Sequence, residues 1–385
     1  MVQVLEKLDV GKIKVIESTD IGEINEAVEE KLYVSDIRLK SKITQELTSY
    51  LSSKLATPEY KLKIFIAYVD SEIGGFVVSQ IDPYYSSYSR KCGTFGWLHA
   101  ESFELCRQLL RECELFMKEN KVRKIRGNIN YPKNLGGIGI QSQGFNEQML
   151  YGVAYNDPNS QIIKYLGELG YQKESEYSCV YVAQKSWRKG RSIDKDIIFR
   201  YMTMKELNEY ADEIRNLANN SFHTILPDAS GRNRIYEFFE AFKKIPKSFY
   251  KIKERFNPKT YSDVPQFIET WETCDLERTE PFAPMAFNKN TGELVGILLG
   301  LPDLFEAWVG NSITRCNVDT AMVKRGYFGK GIFSALNNIG QLTCNLHGVS
   351  YFEGTAIWSN NSRAIDTIFP HCKLLRKHYV TQKRV

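Results

Sequence analysis

Long apolar runs are what this 385-residue chain most clearly lacks. The longest, Leu294 to Leu301, is interrupted by glycines and falls well short of the ~18 residues that cross a bilayer. Met1 to Asp9 (MVQVLEKLD) has no basic start leading into an apolar core, so no signal peptide is read there and a cytoplasmic protein is expected. None of the eight cysteines forms a CxxC pair or stands at metal-ligand spacing from any of the five histidines. Neither a metal nor a disulfide framework is expected, and the thiols read as buried and reduced. An excess of one charge is also missing. Lys and Arg total 51 against 46 Asp and Glu, and residues 371–385 hold Lys373, Arg376, Lys377, Lys383 and Arg384 with no acid. Without that segment the signs balance. No basic face is left for nucleic acid, and the tail reads as a solvated terminal strand.

What is present suits a globular protein: 43% hydrophobic and 25% charged residues in a length that allows two or three domains. Internal repetition selects two. Lys12 to Glu17 reads as a strand running into Asp20-Ile-Gly-Glu23, and Ile197 to Met202 as a strand running into Thr203-Met-Lys-Glu206, both capping boxes, at an offset of 183. Gly75 to Asp82 after one hairpin matches Gly296 to Asp303 after another, offset 221, with Asn290-Thr-Gly292 as the tighter turn. Val122 to Gly127 matches Val349 to Gly354, offset 227, each directly after an amphipathic helix. Those helices carry Phe103, Cys106, Leu109, Leu110, Cys113, Phe116 and Met117 on one face in the first copy, and Ile332, Ala335, Leu336, Ile339, Leu342 and Leu346 in the second. Offsets that only grow describe a duplicated unit, residues 1–186 and 192–385. The second copy is enlarged by Ser230 to Asp275, and Lys185 to Arg191 serves as linker. Each copy reads as an α/β unit, a mixed sheet of six to seven strands with helices on both faces.

In the second copy the strand Cys316 to Val323 enters Lys324-Arg-Gly-Tyr-Phe-Gly329-Lys330-Gly331-Ile332 and then the regular helix. Strand, glycine loop and helix N-terminus make an anion site, because the first helical amides lack partners and the dipole favours negative charge there. Neither GxxxxGK[ST] nor GxGxxG occurs. Together with the order of elements, Tyr327-Phe-Gly-Lys-Gly-Ile-Phe-Ser-Ala-Leu336 resembles the GNAT N-acetyltransferase superfamily. The resemblance implies that Lys324, Gly329, Lys330, Gly331, Ile332 and Phe333 surround the pyrophosphate of acetyl-CoA or another acyl-CoA. Met322 and Val323 would bond its pantetheine arm, and Asn361, on a following helix, would also contact it. Three positions depart from the family pattern: Phe328, Phe333, whose ring would crowd the phosphate, and Ile368, where many members have Tyr. Asp82-Pro-Tyr-Tyr85, Gly144-Phe-Asn146 and Tyr155-Asn-Asp-Pro158 further resemble an uncharacterised family of tandem GNAT-like proteins.

Acyl transfer to an amine needs juxtaposition, a donor near the carbonyl oxygen and a route for the ammonium proton. Asp319, on the strand before the loop, is the candidate for that proton; a purely ion-paired aspartate is the alternative. Cys316 has no sequence-level partner and reads as core; His223 and His347 could be bases, but neither stands out, and His347 sits at a helix C-terminus where a cation is favoured. Asn134 to Gly139 reads as an irregular connection, and Tyr84, Tyr85 and Tyr88 as packing or cleft lining between the copies. In the first copy Gly96-Trp-Leu-His-Ala-Glu101-Ser-Phe-Glu104 places carboxylates where phosphate would sit, so that copy is expected to be degenerate. The expected activity is acyl-CoA-dependent N-acylation of a small-molecule or peptide amine, with ligand binding without chemistry as the alternative. Nucleic acid and membrane partners are not expected.

Overall fold

The computed structural model describes residues 12–182, 193–221, 233–252, 256–361 and 372–385. The linker Lys185 to Arg191, His223 and Ile368 lie outside these residues. In the first half the sheet strands are β1 (Ile13–Ser18), β2 (Lys61–Val69), β3 (Glu72–Ile81), β4 (Gly93–Ala100), β5 (Lys124–Gly127) and β6 (Gln172–Tyr181). In the second half they are β7 (Ile197–Arg200), β8 (Met285–Asn288), β9 (Leu294–Pro302), β10 (Arg315–Val323), β11 (Tyr351–Trp358) and β12 (Lys373–Arg384). All belong to one thirteen-stranded sheet in the order β1-β2-β3-β4-β5-β12-β6-β11-β10-β9-β8-β7, with Ile140–Gln143 pairing beside β12. The closing strand of each half has crossed to the other. β12 lies antiparallel between β5 (Thr381 opposite Gly127) and β6 (Val380 opposite Ser175), while the far edge of β6 pairs with β11 (Glu353 opposite Tyr181).

This exchange corrects the reading of the basic tail. β12 is a central strand, and Arg376 is only 1% exposed, its guanidinium donating to both Glu353 oxygens at 2.9 and 3.1 Å and to the Gln148 carbonyl at 2.8 Å. A run of cations without neighbouring acids looked solvated because the acid that neutralises Arg376 is 23 residues away in sequence. The other tail lysines do reach the surface, Lys383 pairing with Glu114 and Lys377 with Glu176.

Strand parity separates the layers. Phe76 and Val78 of β3 join the core made by α1 (Ile21–Lys31) and α2 (Lys40–Leu55), whereas Val77 joins that of α3 (Phe103–Glu119) on the opposite face. Seven side chains of α3 are buried, Leu105, Cys106, Leu109, Leu110, Cys113, Phe116 and Met117, and the large apolar ones each stabilise by roughly 1.5–3 kcal/mol. The second half carries α4 (Met204–Glu209), α5 (Ala211–Ser221), α6 (Asn233–Phe242), α7 (Pro265–Thr273) and α8 (Ile332–Leu346). Thr203 and Glu206 form the expected capping box at α4. At α1, Asp20 caps the Gly22 and Glu23 amides, but Glu23 turns instead to the Ser18 and Tyr68 hydroxyls. Both hairpins turn where the residues allow a positive φ, at Asp70 and Ser71 (50° and 84°) and at Gly292 (71°).

Two elements of the enlarged region, α6 and α7, serve different ends. Through α7, Thr270 donates to the Phe199 carbonyl of β7 (3.0 Å) and Trp271 to Thr343 of α8 (2.9 Å). Through α6, Phe238, Phe239 and Phe242 enter the main core, while its polar edge meets β10 and the first half.

Candidate active site

β10 and β11 are parallel neighbours for only four residue pairs, Arg315–Tyr351 to Val318–Gly354. Beyond them each follows a different partner. β10 stays with β9 as far as Val323 opposite Gly296, and β11 stays with β6 through Trp358 opposite Tyr177 and the Ser359 amide bonded to the Glu176 carbonyl at 2.9 Å. The strands therefore open into a wedge, and alternate backbone groups of residues 319–323 face it rather than a sheet neighbour. At its apex β10 bulges: Thr320 is opposite Leu299 and Val318 is opposite Gly300, so Asp319 is the extra residue.

The wide end of the wedge leads to the glycine loop. The Lys324 amide bonds the Val295 carbonyl (2.9 Å), Arg325–Tyr327 make one 3-10 turn, and Gly329 and Gly331 adopt φ of 80° and 78° before α8 begins at Ile332. Gly331 is the N-cap and has no side chain to satisfy the first amides of α8, and the first turn of that helix holds no acid. A Cβ on Gly329 would meet nothing within 4 Å. Phe328 is 39% exposed and Phe333 half-buried. The two lysines are more committed than their positions in the sequence suggest. Lys330 pairs with Asp194 at 2.9 Å and lies over the Tyr327 ring, and Lys324 pairs with Glu293. Asp194 holds the Lys330 ammonium above its ordinary range through that hydrogen bond. Met322 is buried, Val323 half-buried, and Asn361 sits exposed beyond β11, its amide bonded to the Trp358 carbonyl at 2.8 Å.

Asp319 is ion-paired, with 10% of its side chain exposed. Arg234 of α6 reaches its Oδ2 at 2.5 Å, and Thr320 donates to its Oδ1 at 2.7 Å. The other arm of the same guanidinium donates to Glu237 (2.9 Å) and to Asn134 of the first half (2.6 Å), over the Phe238 ring at 4.7 Å. Arg234 and Glu237 do not stand out in the sequence, and Asn134 is read there only as the start of an irregular connection. The available signal was the spacing of Arg234, Glu237 and Phe238, which sets a cation beside a carboxylate and a ring on one helix edge. His347 is buried beside Phe249, and burial pushes its imidazole below its ordinary range, against the cation that the helix end would favour; Cys316 is buried, and burial pushes its thiol upward, as the core reading requires.

Among solved structures, the chain resembles a tandem GNAT protein from the clavulanic acid biosynthesis pathway, with TM-score 0.54 and 10% identity over 97% of this chain and 98% of that one. A GCN5-related N-acetyltransferase from Sphaerobacter thermophilus matches with TM-score 0.52 and 11% identity over 97% and 95% of the two chains. The chain has the tandem GNAT fold. A probable N-acyltransferase of unknown function from Enterococcus faecalis shares that fold less fully, with TM-score 0.50 and 8% identity over 97% of this chain and 72% of that one. No protein-family model and no curated protein matches the sequence.

In the first GNAT copy the corresponding wedge is filled. β4 and β5 pair only at Gly93–Ile125 and Thr94–Arg126, and β4 also bulges, at Trp97. Residues 129–137 then fold into the opening. The Ile129 amide bonds the Phe95 carbonyl (2.9 Å), the Asn130 side chain accepts from the Trp97 amide (2.7 Å) and donates to the Gly136 carbonyl (3.0 Å), and the Trp97 indole bonds the Tyr131 carbonyl (2.7 Å). A Cβ on Gly96 would lie 2.0 Å from the Ile129 oxygen, and one on Gly136 2.4 Å from the Trp97 ring. The glycine cluster read as an irregular connection is thus what lets the chain close this wedge. At α3 the helix N-terminus is satisfied too: Ser102 caps the Leu105 amide, with Glu104 in the first turn.

Proposed function

We propose that the protein is an acyl-CoA-dependent N-acyltransferase whose second copy binds the acyl-CoA and whose acceptor is a small-molecule or peptide amine. One observation carries the reading. Of two corresponding sites in one chain, the first is filled by its own backbone and capped by Ser102, while among the described residues no segment is bonded across the second, which leads to an α8 N-terminus whose N-cap makes no side-chain hydrogen bond. The pantetheine arm would run along the free edge of β10 at Met322 and Val323. The pyrophosphate would meet the amides of Gly329, Lys330, Gly331, Ile332 and Phe333, with Lys324 and Lys330 at the rim and Asn361 across the opening. The co-substrate supplies an activated thioester. The chain's share is to hold that thioester at the apex, admit the amine from the α6 side and provide Asp319 for the proton the ammonium must lose.

Phe333 is the second residue of α8, as Glu104 is of α3. Phe333→Glu therefore gives the open site the charge of the closed one while remaining favourable to the helix dipole. A carboxylate about 5 Å from one phosphate charge costs roughly 3 kcal/mol at an effective dielectric constant near 20. Calorimetric titration with acetyl-CoA is expected to show one site per chain, weakened at least tenfold by Phe333→Glu at unchanged melting temperature. No heat of binding at millimolar acetyl-CoA would end the proposal.

A further inference from the structure

We infer that Arg234 is a positioning residue for the transfer, a conclusion that rests on the reading of the second copy as the acyl-CoA site. Asp319 occupies the bulge at the first position past the last β10–β11 pair, the point at which a thioester threaded through the wedge would present its carbonyl. A bulged residue has no ladder partner to fix its backbone, and its carboxylate is held instead from outside the sheet. Arg234 does this with one arm on Asp319 Oδ2 (2.5 Å), while its other arm is fixed by Glu237 and by Asn134 and its plane lies over Phe238. Burial lowers the pKa of the guanidinium, but the Asp319 and Glu237 carboxylates more than offset this and hold it above its ordinary value. Among the described residues the first copy has no such ion pair at its bulge, where the Trp97 amide is tied to Asn130. The clamp therefore accompanies the open wedge. It also joins three parts of the chain at one guanidinium, because α6, β10 and the Lys133–Gly136 turn of the first half all contribute to it.

The step this arrangement serves balances without further reagents. The entering ammonium gives one proton to Asp319, directly or through water. The freed amine attacks the thioester carbon, the C–N bond forms as the C–S bond breaks, the second amine proton passes to the departing thiolate, and Asp319 returns its proton to solvent. Arg234 touches no reacting atom; it fixes where the accepting oxygen points.

The test uses the full chain, acetyl-CoA, and a panel of methylamine, glucosamine, spermidine and a lysine-containing peptide, followed by release of free thiol. With the best amine, Arg234→Gln is expected to lower kcat at least tenfold and leave the KM for acetyl-CoA within twofold. Arg234→Lys should recover most of that loss. Because the effect passes through Asp319, adding Arg234→Gln to Asp319→Asn should cost less than twofold more than Asp319→Asn alone. Undiminished kcat in Arg234→Gln, losses that multiply in the double variant, or a wild-type chain that binds acetyl-CoA yet releases no thiol with any amine would each overturn the inference. Failure of the wild type to bind acetyl-CoA would instead remove the reading beneath it.

Discussion

Removing the Arg376 guanidinium should expose how strongly the exchanged strand is held. In Arg376→Met the side-chain volume is largely kept, but Glu353, 0% exposed, loses both guanidinium hydrogen bonds and retains only the Tyr351 hydroxyl at 3.1 Å. The Gln148 carbonyl loses its 2.8 Å donor as well. Leaving a buried carboxylate without its cation typically costs about 3–5 kcal/mol, whereas replacing both members of such a pair by apolar groups is often close to neutral. The double variant Arg376→Met with Glu353→Leu should therefore recover most of the loss, leaving about 1 kcal/mol for the Gln148 carbonyl, which keeps the longer hydrogen bond from the Arg315 guanidinium at 3.4 Å. Equilibrium unfolding in urea, followed by tryptophan fluorescence, measures both. A single variant within 1 kcal/mol of wild type, or a double variant no better than the single, would refute the account of this pair as the electrostatic lock of β12.

Two further predictions concern stability. Glu280 is 1% exposed, and burial raises its carboxyl to about 8 against the lowering effect of the Tyr250 hydroxyl and the Phe282 amide. A raised acid binds its proton more tightly when folded, so its contribution is complete below about pH 4.5 and is lost as pH rises through about 8. Glu280→Gln should accordingly gain on wild type in melting temperature between pH 5 and 8, and parallel melting curves across that range would contradict the assignment. A chain ended at residue 371 loses β12 and leaves facing edges of β5 and β6 unpaired. Amide exchange should rise in both strands together, and protection retained in either would show that the halves do not depend on the shared strand.

The duplication was legible because it is written in local terms. Capping residues, two hairpins and two amphipathic helices recur in the same order, and each depends only on neighbours within a few positions. The glycine loop was legible for the same reason: Gly329 and Gly331 do take the positive φ that a tight entry into α8 demands. The exchange of β6 and β12 was not, since both strands fit either half by alternation and only long-range pairing selects the partner. The bulge at Asp319 was hidden likewise, because it is defined by a mismatch of register with β9. Arg234 stayed unseen because its significance comes from Asp319 85 positions later and Asn134 100 positions earlier. The ion-pair partners of the loop lysines, Asp194 and Glu293, were not legible either, for they are remote in sequence.

The crossed strands also govern the order of events during synthesis. β5 is made early, yet the strand that closes its open edge arrives 254 positions later. Until then the first half presents an unpaired edge in the middle of what will be a sheet, and β6 can pair with β11 at most, itself made only shortly before β12. Such distant pairing is slow to form and leaves sticky edges exposed in the interval. The first half is thus unfinished until β12 has been made, and both halves become complete at the same moment, when β12 slides between them.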